Sequence, residues 1–98
     1  MIARLATFTF KAGLDETSLP FLQSHLRFMA SFSGCGRAYL ARPIHGQQFL
    51  LYTEWADEQD LQRLDAALRS DPNASGDFFA LLGRLSAPPH IAQYEVIE

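Results

Sequence analysis

The sequence lacks several features on which common functions depend. Only one of its 98 residues is a cysteine, Cys35, so the chain cannot form an internal disulfide. Its three histidines are scattered and give no metal-ligand spacing. Eight Lys and Arg stand against eleven Asp and Glu, a net charge of -3, whereas phosphate recognition needs a basic surface. We therefore predict no metal site and no nucleic-acid partner.

Long apolar runs are also missing. No stretch approaches the roughly 20 apolar residues that a membrane-spanning helix requires. The first residues lead directly into a strand-like pattern, without the apolar segment of a secretion signal. We expect a cytoplasmic protein with no membrane partner. The length fits a single domain over residues 1–98.

Aromatic residues, by contrast, are abundant. The chain holds eight Phe, three Tyr and one Trp, more than a core of this size requires. The surplus predicts an aromatic cavity lining or an apolar contact between subunits.

Hydrophobic periodicity divides the chain into strands and helices. Alternating apolar positions predict strands at 2–10, 37–42, 47–55 and 91–97. Apolar stripes at helical spacing predict helices at 15–32, from an N-cap at Asp57 to about 69, and at 77–85, with a break at 71–76. The order β-α-β-β-α-(α)-β predicts an α+β fold, a four-stranded sheet with helices on one face.

The predicted strands are apolar on both faces. In the first strand Ile2, Ala6 and Phe8 share one face, and Ala3 and Leu5 share the other. If helices cover one face, the other exposes more apolar surface than soluble monomers usually tolerate. Pairing two such faces across a two-fold axis removes that exposure, so we predict a homodimer.

A series of motifs along the chain resembles a known family. They are a helix end at Ser33-Gly34-Cys35-Gly36, a hairpin end at Tyr52-Thr53-Glu54-Trp55, an acidic helix start at Ala56-Asp57-Glu58, a break at Arg69-Ser70-Asp71-Pro72, and Pro88-Pro89 before the last strand. In order and spacing they resemble the antibiotic biosynthesis monooxygenase-like domain. The resemblance implies a dimeric α+β barrel built on a ferredoxin-like, four-stranded antiparallel sheet.

The resemblance also implies a function. Some members oxidise aromatic polyketides with dioxygen and neither metal nor flavin, and others degrade haem. Haem-degrading members use an Asn in the first strand and a His after the Trp. The chain departs from many members of the family at Leu64, nine residues after the Trp, where those members carry a His. Of the residues that haem degradation uses, this first strand has no Asn, and the only His after Trp55 is His90. The resemblance therefore favours a monooxygenase that needs no cofactor and acts on a small apolar aromatic or quinol-type molecule. The alternative is a non-catalytic dimeric domain that binds a small hydrophobic ligand.

His25 and Trp55 are the candidate catalytic residues. His25 lies between two apolar stripes of the first predicted helix, where burial would lower its pKa and leave a neutral imidazole able to accept a proton. The resemblance implies that Trp55 helps to position the substrate. The structural alternatives are a histidine satisfied by a backbone carbonyl or solvent, and a core aromatic with one partner for its N–H.

The candidate substrate-binding residues are Arg37, Tyr39, Phe28 and Phe78. Arg37 and Tyr39 share a face of the second strand, where an Arg could hold a phenolate or enolate. The alternative for this pair is a dimer contact or a charged sheet edge. The two Phe residues either line a pocket or fill the core.

Overall fold

The computed structural model describes the backbone of residues 1–98 and the side chains of residues 1–71 and 77–98. Its elements are β1 (Ile2–Phe8), α1 (Asp15–Ala30), β2 (Cys35–Ala41), β3 (Phe49–Trp55), α2 (Glu58–Ser70), α3 (Pro72–Leu82) and β4 (His90–Glu95). The predicted order of strands and helices is confirmed.

The four strands form one antiparallel sheet in the order β2-β3-β1-β4. The central strands β1 and β3 are separated in sequence by α1 and β2. The helices that connect the strands pack on the sheet. This is the predicted ferredoxin-like α+β arrangement.

The two faces of the sheet have different surroundings. Ala6 and Phe8 of β1 face the helices and are buried, as are Leu51 and Trp55 of the neighbouring β3. The opposite face, which we call the open face, carries Tyr39, Leu5 and Tyr94 with their neighbours, and the Tyr39 and Tyr94 side chains are 52% and 56% exposed. The predicted alternation is clearest in β3, where buried and partly exposed residues alternate from Phe49 to Trp55.

The start of α2 is fixed against the end of β3. Asp57 is the N-cap, as predicted: its carboxylate accepts from the Asp60 backbone N–H at 3.1 Å, and the Asp60 carboxylate accepts from the Asp57 N–H at 3.2 Å. Gly34 lies directly over Asp60, whose carboxylate occupies the space that a Cβ would fill. The Gly34 carbonyl also accepts from the Ala56 N–H at 3.0 Å. These contacts place the last residues of β3 beside the helices.

The boundary between α2 and α3 differs from the prediction. The helix expected from residue 77 begins at Pro72, and the break is confined to Asp71, whose backbone is extended at φ -87 and ψ 114. Proline disfavours helical geometry in the residue before it but suits the first helical position, so one residue is enough to separate the helices. α3 also ends at Leu82 rather than Leu85, because Leu85 forms a β-bridge with Phe10. No helix that the structure describes is long and apolar enough to cross a membrane.

Candidate functional site

A cavity of about 270 Å³ lies between the sheet and the helices. We call it the sheet–helix cavity. Its apolar lining is Ala6, Phe8, Met29, Leu51, Leu68, Phe78, Pro89 and Ile91, and its polar lining is Arg4, His25, Thr53, Asp65 and Arg69. An apolar cavity of about 150 Å³ is enough to bind benzene, and ligand pockets begin at about 300 Å³. The cavity lies between these two sizes, so a molecule of about two fused rings is the largest ligand that we expect it to hold.

His25 projects from α1 into this cavity. Its side chain is only 6% exposed, and its ring stacks on Phe78 with centroids 5.0 Å apart and planes 28° apart. Burial lowers the pKa of His25 from 6.5 to about 4, the positive charge of Arg4 adds to the lowering, and Asp77 partly opposes it. The predicted lowering of the pKa is confirmed, and the imidazole is uncharged at neutral pH.

Arg4 is a residue of the cavity that the sequence reasoning missed. Its two terminal nitrogens donate to the two carboxylate oxygens of Asp65 at 3.1 and 3.2 Å, a bidentate ion pair between β1 and α2. The Arg4 side chain is 12% exposed, and its Nε is buried with no hydrogen-bond partner among the residues described. Arg4 lies on the helix-facing side of β1, on the same face as Ala6 and Phe8. A single charged residue on an otherwise apolar strand face is the sequence pattern that could have identified it.

Trp55 lies behind the cavity wall rather than in it. The side chain is 1% exposed, and its Nε1 donates to Thr53 Oγ1 at 2.8 Å. Thr53 is in turn part of the cavity lining, and the Trp55 ring packs edge-on against Phe32 at 6.2 Å. Trp55 therefore contacts the cavity lining through Thr53, and its role in catalysis stays a prediction.

Arg37 and Tyr39 lie on the open face, on the other side of the sheet from His25. Tyr39 stacks on Tyr52 at 5.8 Å, and the Tyr52 hydroxyl donates to Glu54 at 2.6 Å. This hydrogen bond raises the pKa of Tyr52, and the nearby charge of Arg37 partly offsets the rise. The structure thus separates these two predicted substrate-binding residues from the sheet–helix cavity.

The two predicted phenylalanines have different surroundings. Phe78 is part of the cavity lining and covers His25. Phe28 packs edge-on against Phe32 at 5.2 Å, and Phe32 contacts Trp55. Of the predicted site residues, the structure brings His25 and Phe78 together. Within the described part of the chain, no cluster of three His, Cys, Asp or Glu side chains could hold a metal ion.

Comparison with known families gives the class of this protein. Residues 1–71 match the antibiotic biosynthesis monooxygenase family. The match covers well over half of the chain and contains all of the sheet except β4, together with α1 and α2. The chain belongs to this family.

Solved structures share the fold. A protein from Nitrosomonas europaea that is assigned to the antibiotic biosynthesis monooxygenases is 13% identical with a TM-score of 0.83, and the match covers 100% of both chains. A mutant of SnoaB, a cofactor-independent oxygenase from Streptomyces nogalater, is 16% identical with a TM-score of 0.80, over 99% of this chain and 93% of that one. A protein of unknown function from Nitrosomonas europaea is 24% identical with a TM-score of 0.76, over 99% and 89%. No curated protein matches the sequence.

Proposed function

We propose that this protein is a monooxygenase that oxidises a small aromatic or quinol-type molecule with dioxygen in the sheet–helix cavity, without metal or flavin. The observation that carries the proposal is an uncharged, buried imidazole, His25, stacked on Phe78 in an apolar cavity. Membership of the family and the shared fold with SnoaB support it.

The chemistry needs a base and an apolar enclosure. Dioxygen is a triplet and reacts slowly with closed-shell molecules, so His25 first accepts a proton from an acidic O–H or C–H of the substrate. The resulting anion transfers one electron to dioxygen, which gives a substrate radical and superoxide. These combine into a C–O bond, and the imidazolium returns its proton to form a hydroperoxide. Loss of water leaves a carbonyl, so one oxygen atom enters the product and the other becomes water.

The low pKa of His25 is compatible with this role. A pKa of about 4 keeps the imidazole uncharged and able to accept a proton before the reaction begins. Once the proton has moved, the imidazolium lies beside the substrate anion, and an opposite charge at close range raises the pKa of a histidine. The proton transfer therefore creates an ion pair rather than an isolated buried charge.

Oxygen uptake with a dihydroxynaphthalene, and with anthrone as a three-ring comparison, tests the proposal. We expect one dioxygen consumed per hydroxynaphthoquinone formed, in the presence of a metal chelator and without added flavin, and slower uptake with anthrone, which exceeds the two-ring size of the cavity. Uptake no faster than in protein-free buffer, or full recovery of the oxygen as hydrogen peroxide, would contradict the proposal. Binding of the naphthalene without uptake would instead favour the alternative, a non-catalytic domain for small hydrophobic ligands.

We also propose that two copies of the chain associate through the open face. Tyr39 and Tyr94 are exposed there, with Leu5 and Leu50 between them on the central strands. An apolar sheet face of this kind is stabilised when it packs against a copy of itself across a two-fold axis.

Leu5→Glu places a charge at the centre of the open face and is expected to convert the dimer to a monomer. The mass of one chain is 11.0 kDa. Light scattering should give twice this mass for the wild type and the mass of a single chain for the Leu5→Glu variant. Ile44→Glu is the matched control, because Ile44 is 92% exposed in the β2–β3 connection and should not alter the mass. A wild-type protein that is monomeric at all concentrations would exclude this interface.

A further inference from the structure

The charge of the sheet–helix cavity is opposite to that of the whole chain. Its lining holds two guanidinium groups, Arg4 and Arg69, and one carboxylate, Asp65, while His25 is uncharged. Asp77 is also near His25, but its carboxylate accepts from the Ser24 hydroxyl and is not part of the lining. The lining therefore carries a net charge of +1 in a chain whose net charge is -3.

Arg4 has hydrogen-bonding capacity to spare. A guanidinium has five N–H donors, and the Asp65 carboxylate takes one from each terminal nitrogen of Arg4. The buried Nε has no partner among the residues described, and an unsatisfied buried donor is costly. An acceptor held beside Arg4 would lower that cost.

The floor of the cavity is polar at one end and apolar at the other. Arg4 pairs in register with Thr53, and two residues further along β1, about 6.8 Å, Ala6 pairs with Leu51 and Ile91. A ligand on this floor would meet hydrogen-bonding groups at one end and aliphatic side chains at the other.

We propose that the cavity binds an aromatic carboxylate of about two rings. Its carboxylate pairs with the free donors of Arg4 near Thr53, and its rings lie over Ala6 and Leu51 beneath Phe78. This inference names the substrate class of the proposed oxidation and uses the same cavity, but the binding it describes does not depend on turnover.

Calorimetry with 2-naphthoate and its neutral amide, 2-naphthamide, tests this proposal on the wild-type protein. The two molecules have nearly the same shape and differ in charge. We expect naphthoate to bind about tenfold tighter or better, as a charge-assisted hydrogen bond predicts. Equal affinities, or tighter binding of the amide, would overturn the proposal without any variant.

The double variant Arg4→Met/Asp65→Leu removes both members of the ion pair, because removing one alone would leave a buried charge. It is expected to bind the amide and to lose the preference for naphthoate. Arg27→Gln is the control: it removes a guanidinium from an exposed position on α1, outside the cavity, and should keep the preference. A preference that survives in the double variant would contradict the role of Arg4. The two proposals can fail separately. If naphthoate binds through Arg4 but no oxygen is consumed with the dihydroxynaphthalene, the carboxylate site is supported and the proposed oxidation is contradicted.

Discussion

His25→Gln is expected to slow the oxidation of a dihydroxynaphthalene by about 10²- to 10⁴-fold, the usual contribution of a general base. Gln fills a similar volume beside Phe78 but cannot accept a proton. The loss should therefore fall on kcat, with KM little changed, because the apolar walls that hold the rings remain in place. Steady-state kinetics by oxygen uptake measure both quantities.

Two other variants make this result specific. His45→Gln removes an exposed histidine from the β2–β3 connection and should leave kcat unchanged. Trp55→Phe is expected to reduce kcat less than tenfold, because Trp55 reaches the cavity only through Thr53. If His25→Gln retained the wild-type kcat, His25 would not be the base, whatever the substrate.

Acidification from pH 6.5 to pH 4 is expected to cost the folded protein about 3 kcal/mol through His25 alone. The folded state holds His25 with a pKa of about 4, whereas the unfolded chain holds it near 6.5. Between these values the unfolded state binds more protons, so stability rises with pH across the window. The contribution is fully present above pH 6.5, and it is lost as the pH falls towards 4.

Urea denaturation at pH 7, 5.5 and 4 measures this loss as a fall in the free energy of unfolding. Carboxylates that are paired in the folded state also lose stability in acid, so the quantity of interest is the difference between wild type and His25→Phe. Between pH 7 and pH 4, the free energy of unfolding of His25→Phe is expected to fall by about 3 kcal/mol less than that of the wild type. For His45→Gln it should fall by as much as for the wild type. Parallel curves for wild type and His25→Phe would show that burial does not hold His25 uncharged.

Much of the fold was predictable because its signals are local. The alternation that puts Phe8 and Leu51 on the buried face depends only on residues that are close in sequence. The same is true of the N-cap at Asp57 and of the proline that separates α2 from α3. The start of α3 was predicted too late, because the turn-forming residue types after Pro72 suggested a break over 71–76, whereas the structure has a break of one residue. The place of Gly34 over Asp60 could not be predicted, since it depends on a contact between a loop and a distant helix.

The site was predictable only in part. His25 was found because a titratable residue lies between two apolar helical stripes, and Phe78 because aromatic residues are in surplus. Tyr39 lies in register with Tyr52 on the open face, and the charge of Arg37 reaches Tyr52 there, but no local signal indicates which face of β2 meets the helices. Arg4 and Asp65 are 61 residues apart, and nothing near either one indicates the other.

The sequence alone therefore determined the order of the elements, the two faces of each strand and the family to which the chain belongs, because these depend on short-range periodicity and spacing. The tertiary structure decided which side chains share a cavity. The strand order β2-β3-β1-β4 places β1 beside β3, so that Arg4 and Thr53 lie side by side in the cavity that His25 also lines. The apolar strand faces on which the homodimer is proposed could be recognised from the sequence. The charged end of the cavity could be recognised only from the tertiary structure, because Arg4 and Asp65 are far apart in sequence.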